Sequence, residues 1–187
     1  MENSERFSTP KDGTAALAEA EASRTQLAGT LALPSFFYGA IGGAVSMQIA
    51  TTAYGVSNDR GWALAILLGG LAFFVLVAAI QLVRFRRLNG VWLGGLASRV
   101  VLGTATAASV SYVLALGASV WAASTRMWWL VAFCAIAGGA AYALSGRWWW
   151  VRYQGDPASH SRGESARWIV ILGALAVAGF VLLALGR

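Results

Sequence analysis

Five long apolar stretches set the pattern of this chain, at 34–56, 62–83, 100–123, 127–145 and 168–186. None contains an Asp, Glu, Lys, Arg or His, and together they make up more than half of the 187 residues. A hydrocarbon core about 30 Å thick is crossed by about 20 helical residues, so each stretch is long enough to span. In lipid a spanning backbone must satisfy its own hydrogen bonds, which makes each stretch a helix. The pattern predicts an all-α integral membrane protein, a five-transmembrane-helix bundle in which residues 34–187 form a single transmembrane domain. The connections at 57–61 and 124–126 are so short that spans one and two, and spans three and four, should be antiparallel neighbours.

Outside the spans the chain is polar. Residues 1–33 read as a cytoplasmic amino-terminal segment, with Met1 to Gly13 disordered and a short Ala-rich helix from Thr14 to Ala28. Thr14 is a residue type that caps helices, and Glu19, Glu21 and Arg24 complement the helix dipole. This helix is either a solvated lead into the membrane or a docking element for a partner. The acidic lead before the first apolar run does not resemble a cleavable signal peptide. The connection from Arg84 to Arg99 carries Leu88, Val91, Trp92, Leu93 and Leu96 around Asn89-Gly90 and Gly94-Gly95, and reads as an interfacial turn. The last connection, Arg147 to Arg167, opens on Trp148-Trp149-Trp150-Val151-Arg152-Tyr153 before turning at Gly155-Asp156-Pro157.

Composition agrees with the pattern: 58% of residues are hydrophobic and 12% charged, against about 45–50% and 25% in soluble domains. The net charge of +6 would point to nucleic acid in a soluble protein, but here its distribution carries topology. Eleven of fourteen Lys and Arg fall on the amino-terminal segment and the second and fourth connections, while only Arg60, Arg126 and Arg187 fall on the other side. The positive-inside rule then puts the amino terminus inside and the carboxyl terminus outside. Eight of the nine tryptophans lie at or beside a span end, and Trp92 lies in a connection, as expected of indoles that prefer the headgroup region. Arg84, Arg86, Arg87, Trp148, Trp149, Trp150 and Arg152 are accordingly candidates for contact with anionic lipid headgroups. An aromatic ligand groove at the last connection is the alternative.

Within the spans, small residues recur at every fourth position. Gly103, Ala107, Ser111, Ala115 and Ser119 do so in the third span, Gly39 and Gly43 in the first, and Ala135, Gly139 and Ala143 in the fourth. Membrane helices associate through such small faces, so these positions are candidate packing sites and the third span is the expected central helix. The polar residues in the spans are uncharged, and Gln48 is the one amide near a membrane centre. It either bonds across helices, with a third-span hydroxyl as partner, or lines a polar path.

Chemistry-bearing constellations are not apparent. The single histidine, His160, stands among Ser159, Ser161 and Arg162 in a polar connection, and Ala143-Leu144-Ser145-Gly146 has no membrane histidine to activate its serine. Asp12, Asp59 and Asp156 lie in different connections, so a paired-carboxylate mechanism is not expected. The lone Cys134 excludes an intramolecular disulfide. No enzyme activity, cofactor or metal is expected, and no nucleic-acid partner.

The Ala-rich lead Ala15-Ala16-Leu17-Ala18-Glu19-Ala20-Glu21, the Arg24 that follows it, and the entry Phe36-Phe37-Tyr38-Gly39 resemble uncharacterised small polytopic membrane proteins of high-GC bacteria. Thirteen arginines to one lysine fit such a genome. The resemblance implies no activity and transfers no site residues. The sequence thus leads to the expectation of a multi-pass plasma-membrane protein acting as an accessory, assembly or regulatory component. Its partners would be the anionic bilayer and another membrane protein or a further copy of itself. The alternative is a small permease or channel-like carrier for a neutral or apolar solute.

Overall fold

In a computed structural model of the chain, the structure describes residues 10–59, 61–90 and 106–155. Five helices and no strand occur among them: α1 (Pro10–Thr30), α2 (Phe37–Val56), α3 (Ala63–Asn89), α4 (Thr106–Ser124) and α5 (Trp128–Gly155). The expected fifth span, 168–186, lies outside the described residues, as do Trp92, Gly103 and His160. The chain divides into two compact units. The smaller takes in α1 and the end of α5 from Val151, and the larger holds α2, α3, α4 and α5 up to Trp150. The end of α5 thus groups with α1 rather than with the rest of its own helix.

In the smaller unit, α1 begins at Pro10, four residues before the expected cap at Thr14. A proline at the first helical position has the φ a helix requires and lacks only an N–H that would be orphaned anyway. Gly13 is therefore helical rather than disordered. Leu17 and its neighbours from Gly13 to Ser23 are exposed. The Gln154 side chain donates to the Leu31 carbonyl at 3.4 Å.

In the larger unit the helices begin and end where backbone chemistry allows, not where charge appears. The chain enters α2 through a turn at Pro34, Ser35 and Phe36, with Phe36 in the left-handed region at φ 60° and 89% exposed. At its other end α3 continues past the charge-free stretch through Arg84, Phe85, Arg86 and Arg87 to Asn89. It stops at Gly90, whose φ of 66° lets its N–H close on the Arg86 carbonyl at 3.0 Å. Likewise α5 runs on through Arg147 and the three tryptophans to Gly155. Both expected connections therefore start as helix. The reason is that long arginine side chains reach the interface from a helix that is still winding, so a charge does not end it.

The two short connections make the hairpins the spacing predicts. After α2, Ser57 N–H and the Asn58 side chain return to the carbonyls of Ala53 and Tyr54 at 3.2 and 2.8 Å. Between α4 and α5, Arg126 takes φ 62°, its N–H reaching Ala123 and that of Met127 reaching Ala122 at 3.0 and 2.9 Å. That is the pair of bonds of a Schellman stop, with arginine in the usual glycine position.

Among the described residues three helices are long and apolar enough to cross a membrane: α3, α4 from Ala107, and α5. Only 17% of the most apolar window of α3 is buried, leaving Leu64, Leu68, Phe73, Val75, Leu76, Ile80 and Val83 exposed. Water does not tolerate an apolar flank of that extent on a soluble monomer, whereas a bilayer requires it. These helices mark a helical membrane protein. The first expected span, α2, falls outside this set because Ser46, Gln48, Thr51 and Thr52 dilute its hydropathy.

Among the described residues α2, rather than the expected third span, holds the most buried positions. Eight of its residues are buried: Phe37, Ile41, Gly42, Ala44, Val45, Gln48, Ile49 and Ala53. It meets α3 where Gly55 lies against Ala63 and Leu67 and where Gly70 lies against Thr51, and it meets α5 where Gly42 lies against Gly139 and Ala143. A cluster of Ala53, Val120, Ala122, Ala123 and Val131 closes one end between α2, α4 and α5. Near the other end of α3, the Asn89 side chain accepts from Ala32 N–H and donates to its carbonyl, both at 2.9 Å.

Candidate functional site

The middle of α2 combines close packing with a polar cluster, and both follow from side-chain size. On the α5 side, a Cβ built on Gly139 would overlap the Ser46 hydroxyl and the Gly42 carbonyl, and one built on Gly42 would stand 2.9 Å from the Gly139 carbonyl. Backbones approach this closely only where both residues lack side chains. The Ser46 hydroxyl turns back to its own helix, donating to Gly42 at 3.0 Å, so the crossing leaves no donor orphaned there. On the same helix pair, the Tyr38 hydroxyl donates to the Gly146 carbonyl at 3.0 Å.

On the α4 side, Gln48 is 9% exposed. Its Oε1 accepts from the Tyr112 hydroxyl at 2.7 Å, and its Nε2 donates to the Thr52 hydroxyl at 3.1 Å. The cross-helix bond to a third-span hydroxyl is the one the sequence pattern allowed. Beside this pair opens a cavity of about 250 Å³. Val45, Leu71, Phe74 and Val113 supply its apolar walls, and Gln48, Ser109, Tyr112 and Tyr142 its polar ones. Four helices contribute to it, and among the described residues no charged side chain lines it.

The packing residues named from the sequence are distributed unevenly. Ala115 meets Gly138 across the α4 to α5 contact, and Ser119 is fully buried. Ala107 is exposed, and Ser111 is half-buried with its hydroxyl donating to the Ala108 carbonyl at 2.9 Å. At 3.6 residues per turn, a fourth-position repeat drifts by about 40° per step, so five such residues wind around the helix and cannot share one contact. Gly39 and Gly43 are also exposed, with open space where a Cβ would go among the described residues, and Gly42 makes the contact in their place. The detectable signal was Gly42, Ser46, Ile49 and Ala53, spaced by four, three and four, which stays on one face.

The headgroup candidates separate in the same way. Arg84, Arg86, Arg87, Trp148 and Arg152 are exposed and Trp149 is half-buried. Trp150 is instead buried at 6% exposure against Phe85, edge to face at 6.4 Å, so it joins α5 to α3 rather than meeting lipid. At the opposite helix ends Tyr54 stacks at a tilt against both Trp62 and Trp128, at 5.5 and 5.7 Å. Ser145 donates to the Ala141 carbonyl at 2.7 Å, the ordinary use of a helical serine. Among the described residues no group of three or more His, Cys, Asp or Glu could hold a metal ion. Sequence reasoning missed Tyr142 and Phe74, since a tyrosine and a phenylalanine within apolar helices carry no distinguishing pattern.

Comparison with known protein families, curated proteins and solved structures returns no match to this chain. The class defined by the fold is the general one, a helical membrane protein.

Proposed function

We propose that this chain is a multi-pass protein of a bacterial plasma membrane, with five spans, a cytoplasmic amino terminus and an external carboxyl terminus. It acts without catalysis, as an accessory, assembly or regulatory component of a membrane complex or envelope process. The observation that carries this reading is the engagement of Gln48. The one amide near a span centre holds α2 to α4 through Tyr112 and is tied to its own helix at Thr52, so it serves packing. The wide apolar flank of α3 is consistent with a protein whose outward surface meets lipid or a neighbouring membrane protein.

The cavity beside Gln48 favours a second reading, a small carrier for a neutral or apolar solute. One experiment separates them. Native membranes bearing the tagged full chain are crosslinked with two chemically different reagents, and the adducts are identified by mass spectrometry. The accessory reading expects the same membrane protein with both reagents. Recovery of the chain alone, together with uptake of a neutral solute by vesicles containing it, overturns that reading in favour of the carrier. Reporter fusions at both termini test the orientation; activity of a periplasm-dependent reporter at the amino terminus would refute it.

A further inference from the structure

The accessory reading assigns no occupant to the cavity beside Gln48, and the carrier reading leaves the chemistry of its occupant open. Its size comes first: about 250 Å³ lies between the roughly 150 Å³ of an engineered cavity that takes benzene and the roughly 300–1,000 Å³ of sites for drug-sized ligands. A single ring with small substituents fits this range. Charge comes second, since the lining contains four apolar residues and four uncharged polar ones. An ionised ligand would meet no counter-charge among the described residues of this lining, so a neutral one is selected. Hydrogen bonding comes third. A glutamine amide offers two donors and two acceptor lone pairs; here Oε1 takes the Tyr112 proton and one N–H goes to Thr52. The second N–H remains, on a side chain that lines the cavity, with the Ser109 hydroxyl on the same lining. Tyr112 has already committed its proton to Gln48. The site therefore offers a donor, the second Gln48 N–H, to an acceptor on the ligand.

We propose that the cleft between α2, α3, α4 and α5 binds a neutral, bilayer-soluble molecule whose ring-sized head carries a carbonyl oxygen, received by the free N–H of Gln48. The apolar walls hold the ring, and the amide fixes its orientation. This goes beyond the accessory function and is independent of it, since binding is read without any partner protein or transport.

The test uses the full chain in lipid vesicles and acetophenone, a neutral aryl ketone that crosslinks to nearby C–H bonds under near-ultraviolet light. Peptide mapping by mass spectrometry then locates the label. The expected result is labelling concentrated on the peptides carrying Val45, Leu71 and Val113, suppressed by excess cyclohexanone and little affected by methylcyclohexane, which matches it in size but lacks the oxygen. Gln48→Leu should weaken labelling roughly two- to tenfold, the range of one hydrogen bond. Val113→Trp, which fills the space, should abolish it. Labelling spread along the exposed flank of α3, or equal suppression by the ketone and the hydrocarbon, overturns the proposal and marks an acyl-chain crevice. Because the competition is read on the unmodified protein, the outcome does not depend on either variant folding.

Discussion

Replacing Gly139 by alanine adds one methyl group at the crossing of α2 and α5. The added carbon would overlap the Ser46 hydroxyl and the Gly42 carbonyl and lie 3.1 Å from the Ser46 nitrogen. The serine hydroxyl can rotate away, but the carbonyl and the amide nitrogen belong to a helix backbone, so the helices must part. A gap of about 0.5–1 Å forfeits a quarter to a half of each contact's attraction along the seam. With overpacking added, the cost is about 1–3 kcal/mol. Alanine also removes the helix-interior penalty of glycine, about 0.5–1 kcal/mol in the opposite direction. Gly43→Ala isolates that second effect, because its Cβ meets nothing among the described residues. Gly139→Ala should therefore lose about 1–2 kcal/mol net, while Gly43→Ala holds or gains up to about 1 kcal/mol. Reversible unfolding in mixed detergent micelles, followed by helical circular dichroism, measures both. Equal stability of the two variants, or a larger loss at Gly43, would refute the assignment of the crossing to Gly42 and Gly139.

Two further substitutions test the polar groups of the bundle. The Ser119 hydroxyl is buried without a hydrogen-bond partner among the described residues, so Ser119→Ala should be neutral or stabilising by about 1 kcal/mol, and a clear loss of stability in the same assay would show a bond in solution that the structure lacks. Gln48→Leu removes the bond to Tyr112 while keeping similar volume, so it should cost about 0.6 kcal/mol and no more than about 1.7 kcal/mol; a variant that fails to fold would show that the cluster is essential to the bundle.

The sequence alone determined the solvent of this protein and the helical character of its described elements. Runs of apolar residues at spanning length leave no alternative to helices, because the requirement for internal hydrogen bonds acts on the backbone at every position. The hairpins at 57–61 and 124–126 were equally legible, since a few residues cannot carry a chain across a bilayer. Gln48 stood out because an amide in an apolar run is rare. Its partner could be narrowed to a hydroxyl of the third span, and Tyr112 supplies it.

Tertiary structure decided which surfaces meet. Hydropathy ranks α2 below the other spans, but that ranking measures cost in lipid, and α2 is largely removed from lipid by its neighbours. Its Ser, Thr and Gln residues are tolerated because each finds a hydrogen bond within α2 or to α4. The small-residue repeats mark what could approach closely without stating what does: Gly42 and Gly43 are indistinguishable in composition, and about 100° of helical rotation separates contact from open space. The same holds for Trp148 and Trp150, one exposed and the other buried on Phe85. The cavity beside Gln48 was out of reach for the same reason, since its lining comes from four helices and exists only once they are packed.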